Sequence, residues 1–207
     1  MSLRTGIRIF FLVMIFVLWF TGFIEVWGTL LGLSLLLLPF LGRIYCGWAC
    51  PISTTIDALK TVNDKSVFRP DKKYFPNVFV QILIVALSFF IMRTLLVNDF
   101  VVPFFILLIP VGLIVTVLFG EEFWHRYCFI GIIYSWIGRF SRVGYYINQD
   151  ECTECNVCVD NCSSACILDD YVVDKRHCLY CNKCKENCPV GAVKYGRRAD
   201  LSQSDLS

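Results

Sequence analysis

Histidine is almost absent from this chain: there are two in 207 residues, His125 and His177. Neither falls inside an apolar stretch, so a transmembrane b-type haem held by two histidines has no ligands. No C-x-x-C-H run occurs, which removes covalent c-type haem. No haem is therefore expected. No G-x-G-x-x-G run and no phosphate loop appear, so no nucleotide cradle is recognisable. Charge is scarce, at 17% of residues, and the net charge is +2. No nucleic-acid partner is expected.

Apolar residues are plentiful, at 57% of the chain. They gather in four stretches: Ile7–Phe23, Val26–Leu41, Val78–Val97 and Phe100–Phe119. A membrane-spanning helix needs roughly 20 apolar residues. The second stretch is short and holds Gly28, Gly32 and Pro39, so length alone leaves a re-entrant segment open. Charge decides it. Basic residues collect at the N-terminus (Arg4, Arg8), in the 42–77 loop and beyond residue 120, while the other two turns hold Glu25 and Asp99. Four spans put every basic segment on one face, as the positive-inside rule expects, with both termini inside. Arg93 is the one charge well inside a predicted span; pairing with Glu25 or Asp99 near the outer end is the expectation. Residues 1–23 lack a small-residue cleavage site, so they read as an anchor.

Twelve cysteines complete the pattern. Cys152, Cys155, Cys158 and Cys162 follow a C-x2-C-x2-C-x3-C spacing. Cys178, Cys181, Cys184 and Cys188 repeat it, with Pro189 behind. This is the ligand run of a bacterial-type two-cluster ferredoxin, in which the fourth cysteine of each run serves the other cluster. The crossing assigns Cys152, Cys155, Cys158 and Cys188 to one [4Fe–4S] cluster. Cys178, Cys181, Cys184 and Cys162 then hold the second. Six disulfides are disfavoured by a reducing cytoplasmic face. Zinc is disfavoured because structural zinc sites usually pair C-x2-C knuckles.

A shift of 26 residues superposes the two runs and also sets Asn156 on Asn182, Asn161 on Asn187 and Ile167 on Val193. Each half reads as a turn-rich loop with a short helix after its last cysteine, and short strands at Tyr145–Asn148 and Tyr171–Asp174. Ser163 stands where the second half has Pro189, removing a fixed φ from one helix start. Cys166 falls on Ala192 and is a ninth cysteine where eight suffice. It is either a small buried replacement for alanine or a spare ligand.

Three further cysteines sit at the membrane edge. Cys46 and Cys50 lie in Cys46-Gly47-Trp48-Ala49-Cys50-Pro51 after the second stretch, and Cys128 follows the fourth. Pro51 suits the first position of a helix running to about Val62, with Ile52, Ile56, Leu59 and Val62 as its apolar stripe. Trp48 and Tyr45 suit interfacial anchors. Cys46, Cys50 and Cys128 form a candidate third iron–sulfur or metal site. Its fourth ligand is His125, Cys166, a partner residue or an open position.

The Cys46–Pro51 motif, four spans and a C-terminal double ferredoxin run resemble the NapH/NosR-type membrane-bound ferredoxins over about residues 1–196. The resemblance implies the membrane component of a quinol dehydrogenase, with a quinone and other redox subunits as partners. The chain departs from these proteins at Ile132 and Ile133, where relatives often carry the Cys-Pro of a second C-x3-C-P motif.

The expected fold is a membrane α-helical domain of four transmembrane helices (1–127) joined to a small α+β ferredoxin domain (145–198). An interfacial linker (128–144) lies between them, and a polar tail (199–207) follows. The expected setting is the cytoplasmic membrane of a prokaryote, multi-pass, with the ferredoxin domain facing the cytoplasm. The expected role is an electron-transfer subunit of a membrane oxidoreductase, relaying electrons between a redox partner and the membrane. Two readings stand beside it. One is a reductase or maturation factor with its own centre at Cys46, Cys50 and Cys128. The other is a wiring subunit of an ion-translocating complex.

Overall fold

A computed structural model describes residues 3–62, 67–68, 78–97, 101–168 and 170–197. In chain order the helices are α1 (Leu3–Phe20), α2 (Glu25–Leu41), α3 (Ile44–Trp48), α4 (Pro51–Val62), α5 (Val78–Val97), α6 (Val101–Phe119), α7 (Glu121–Tyr127) and α8 (Phe129–Gly138). The four expected apolar stretches are helical over most of their length: the first leaves its helix after Phe20, and Phe100 of the fourth lies outside the described residues. By length and composition, α1 and α5 are long and apolar enough to cross a membrane. Helix α2 is shorter, at 17 residues, and α6 is described with its side chains only from Leu108 onward. Arg93 is exposed on α5; it makes no ion pair with Glu25, and Asp99 lies outside the described residues.

Local chemistry sets the breaks between helices. Gly42 ends α2 at φ +70°, its N–H bonding the Leu38 carbonyl. A β-carbon at Gly42 would also run into the Tyr180 ring, so both backbone and packing demand glycine there. Pro51 opens α4, where its missing N–H costs nothing. The corner between α7 and α8 is Cys128: its N–H bonds the Trp124 carbonyl and its own carbonyl accepts from Ile132.

Helix α1 packs on α4 and α2, α4 packs on α6, and α8 packs against α2 and α5. The segment 128–144 is thus mostly helix α8. Ile132 is fully buried, and the Tyr134 hydroxyl reaches Ser34 and the Leu31 carbonyl.

The C-terminal lobe carries one antiparallel sheet. Strand β1 (Val143–Ile147) pairs with β2 (Val193–Arg197), with Ile147 opposite Val193 and Val143 opposite Arg197. The expected strand at Tyr171–Asp174 shrinks to a single bridge, Ile167 opposite Val173. That bridge is the repeat counterpart of Ile147–Val193. It cannot lengthen because the chain turns at once: Tyr171 donates to Leu168, and Leu168 to Val172.

The expected helices after Cys162 and Cys188 are not there. The helical turns are α9 (Val157–Asp160) and α10 (Lys183–Glu186), inside the cysteine runs. Ala165 (φ +47°) and Gly191 (φ +68°), three residues past the last cysteines, are left-handed. A right-handed helix cannot pass through such a residue. Neither Ser163 nor Pro189 starts a helix, so the difference between them has another meaning.

Candidate iron–sulfur sites at the domain junction

The backbone obeys the 26-residue repeat closely. Glu154 and Tyr180 share φ of 53° and 55°, and Asn156 and Asn182 share 61° and 65°. The pairing across halves is reciprocal as well. Tyr145 donates to Asn182 Oδ1 at 3.0 Å, and its repeat counterpart Tyr171 donates to Asn156 Oδ1 at 2.9 Å. Each asparagine opens a helical turn, and the tyrosine of the opposite half holds it there.

One pocket of the lobe is lined by Cys152, Cys155, Cys158 and Cys188. No cysteine of the other expected set lines it. Burial tends to raise the Cys188 thiol, but the N–H groups of Val193, Val190, Ala192 and Gly191 outweigh it and hold the thiol below its ordinary range. A ring of amides around one sulfur favours a thiolate, the form that binds iron.

The other expected set also converges. Burial pushes Cys184 up to about 12, and the nearby thiols of Cys181 and Cys162 add to this. Cys181 is raised by the same burial. Crowded, buried thiols of this kind become thiolates only when a cation neutralises them, and coordinated metal does so outright.

The third group is likewise brought together. Cys46 lies on α3, Cys50 at the foot of α4 and Cys128 at the corner of α7 and α8. Burial drives Cys50 up to about 12, with Cys46 and Cys128 both contributing. Burial drives Cys128 up to about 11, again with Cys46 contributing. Two groups fit an anionic cluster here. Arg43 is buried, its guanidinium lies beside Cys46, and its Nε has no hydrogen-bond partner. Its other nitrogens reach the carbonyls of Arg176 and His125. A buried cation needs a counter-charge, and thiolates around iron supply one. His125 is buried with Nε2 unpartnered. Burial, with Arg43 adding, drops its pKa to about 3, so the imidazole stays neutral and able to ligate. Cys166, the other expected candidate for this site, lies instead against Cys162.

Among the described residues, no three His, Cys, Asp or Glu side chains converge on one point that a single ion could fill. A tetrahedral zinc site needs thiolates about 2.3 Å from a common centre. Cubane ligands stand on separate iron atoms and spread wider.

The lobe sits directly on the Cys46–Cys50 loop. Trp48 Nε1 donates to the Tyr180 carbonyl at 2.8 Å. Arg126 of α7 donates to the Ala165 carbonyl at 2.8 Å and to that of Ser164 at 3.3 Å. A β-carbon on Gly47 would overlap the Leu179 carbonyl and come within 3.2 Å of the Cys181 Cα. Leu179 and Cys181 share one apolar cluster with Cys46 and Cys50. Contact with the Cys46–Cys50 loop therefore falls on the second cysteine run, while Cys155 of the first is exposed.

Asp57 ties this junction and was not singled out by motif. It accepts from Arg4 and Arg8 of α1 and from Lys183 of the lobe. Arg8 also donates to the Gly47 carbonyl and to Ser53. Lys183 donates to Ser163 Oγ at 2.6 Å, which is the use of serine where the second half has proline. The available signal was modest: Asp57 is the lone acid between Glu25 and Asp64, two helical turns beyond Cys50.

Two 4Fe–4S binding domain families match the chain, one over residues 23–65 and one over 171–194. The first match spans Cys46 and Cys50; the second spans Cys178 to Cys188. The methylamine utilization ferredoxin-type protein MauN of Methylorubrum extorquens is 26% identical over 161 residues, 69% of this chain and 56% of the relative. MauN of Paracoccus denitrificans is 27% identical over 148 residues, 64% of this chain and 52% of the relative. The chain spans about half the length of these curated relatives. No solved structure matches it. The chain thus carries two 4Fe–4S binding domains and is similar to ferredoxin-type proteins, which is consistent with an iron–sulfur electron-transfer role.

Proposed function

We propose that this chain is a membrane-bound iron–sulfur electron-transfer subunit with three sites in series. The exposed end is the set Cys152, Cys155, Cys158 and Cys188. The middle is the set Cys162, Cys178, Cys181 and Cys184. The membrane end is Cys46, Cys50 and Cys128, with His125 as the chain's own candidate for a fourth ligand. The observation that carries this reading is the packing of Leu179 and Cys181 on Gly47, between Cys46 and Cys50. At Gly47 the second run and the loop are in direct contact. A bound [4Fe–4S] cluster supplies one-electron chemistry at each site.

The membrane assignment rests on exposed apolar surface. Phe10 and Phe20 of α1, and Phe79, Phe89 and Phe90 of α5, all face outward. Such a surface needs lipid or protein against it. Four spans place the lobe on the cytoplasmic side by the distribution of basic residues. A quinone is the proposed membrane partner. An apolar pocket between α1, α2, α4 and α6 includes Trp27, Tyr45, Cys50 and Ile109 in its wall. It gives a greasy ring access to Cys50 from the bilayer side. Other redox subunits are the proposed partners of the exposed Cys155 face.

The test is iron and sulfide analysis with EPR on purified protein, comparing wild type with Cys46→Ser and Cys50→Ser. Three signals are expected in wild type, with one lost in either variant and the two ferredoxin signals kept. Unchanged iron and unchanged electron transfer in both variants would remove the third site. Quinol oxidation by the isolated chain supports the quinone partner; oxidation only within a larger complex assigns the quinone chemistry to another subunit.

A further inference from the structure

Cys166 is the one cysteine in the lobe that the ligand count leaves over. Its Sγ lies 3.4 Å from Cys162 Sγ, and its N–H donates to that same sulfur at 3.3 Å. Cys166 and Cys178 belong to one buried apolar cluster. Only 3% of the residue is exposed. It therefore touches Cys162 and shares a buried apolar cluster with Cys178, two residues assigned to the middle site from opposite halves of the repeat.

The repeat supplies a second, independent observation. Ala192 is the counterpart of Cys166, and Ala192 lines the cavity formed by Cys152, Cys155, Cys158 and Cys188. The position thus faces a cluster site in the half where it holds no donor. In the other half it holds a thiol. A simple replacement of alanine by a small apolar residue accounts for the burial, but not for a sulfur–sulfur contact with an expected ligand.

We propose that Cys166 is a reserve ligand for the iron atom that Cys162 holds. Ligand exchange needs only that one thiolate leave iron and the neighbouring thiol lose its proton and take the place. No electrons are transferred, and the proton released by Cys166 is taken up by the departing Cys162. The left-handed Ala165 between them (φ +47°) sets Cys166 back toward Cys162. This proposal rests on the middle site holding a cluster, and wild-type iron content tests that separately.

The experiment compares the full chain as wild type, Cys162→Ala, Cys166→Ala and the double variant Cys162→Ala/Cys166→Ala. Alanine is chosen over serine because a serine oxygen can itself ligate iron. Iron and sulfide content and EPR are read on each. Wild type and Cys166→Ala are expected to hold equal iron. Cys162→Ala is expected to keep the middle signal with shifted g-values, and the double variant to lose about four iron atoms per chain. Loss of the middle signal in Cys162→Ala as complete as in the double variant overturns the proposal. So does its survival in the double variant. Should Cys162→Ala fail to accumulate, Cys166→Ala alone decides: a thiol packed on a ligand sulfur must move that site's midpoint potential or g-values. No change in either overturns the proposal.

Discussion

Lys183, between two expected ligand cysteines of the lobe, places its ammonium 3.0 Å from the Asp57 carboxylate on α4. Asp57 also carries Arg4 and Arg8 of α1. One carboxylate thus binds three cations drawn from two domains. Burial alone would raise its pKa, but Arg8, Lys183 and Arg4 outweigh that and bring it down to about 2.

The first prediction concerns this carboxylate. A folded-state pKa below the unfolded value near 3.8 means stability that is present above that pH and lost as pH falls towards about 2. The shift corresponds to roughly 2 kcal/mol. Between pH 6 and 8 the contribution is constant. Asp57→Asn is expected to destabilise the junction by a similar amount at pH 7, with no pH dependence across that range. Denaturant unfolding of the detergent-solubilised protein at pH 6, 7 and 8 checks it; a difference from wild type that grows or shrinks over that window contradicts the assignment.

The second concerns contact between the domains. Gly47→Ala sets a methyl group against the Leu179 carbonyl, a backbone atom that cannot swing aside. Overpacking of this kind costs about 1–3 kcal/mol. The lobe is expected to loosen from the loop while its own clusters stay intact. The readout is protease cleavage between Gly138 and Val143, faster in the variant, beside unchanged ferredoxin EPR signals.

The third separates crossed from uncrossed ligation. Cys155→Ala and Cys188→Ala, 33 positions apart, line one cavity and are expected to extinguish the same EPR signal. Cys181→Ala is expected to extinguish the other. If Cys188→Ala and Cys181→Ala remove the same signal, each run ligates its own cluster.

The fourth concerns topology. An epitope inserted at Gly22, in the turn between α1 and α2, is expected to be accessible from outside sealed cells. One appended to the C-terminal end is expected to be protected until the cells are opened. The reverse pattern, or two tags on one side, rules out four spans with both termini inside.

Local sequence was sufficient for the helical stretches, because roughly 20 consecutive apolar residues have few other fates. It was sufficient for the start of α4 at Pro51 and for the repeat. Spacing along a tight loop also placed Cys152, Cys155 and Cys158 together, since nothing between them can carry them apart. The remote pairing was different. Cys188 and Cys152 line one pocket only because β1 and β2 close the lobe, and Cys128 reaches the apolar cluster around Cys50 only because α6 returns the chain to α4. Helices after the last cysteines were expected from the pattern, but left-handed Ala165 and Gly191 forbid them. The role of Asp57 could not be read locally either. An acid on an amphipathic helix is ordinarily a solvated surface residue. Tertiary structure alone put Arg4, Arg8 and Lys183 around it, because long-range charge pairing depends on where distant segments land and not on the residues beside them.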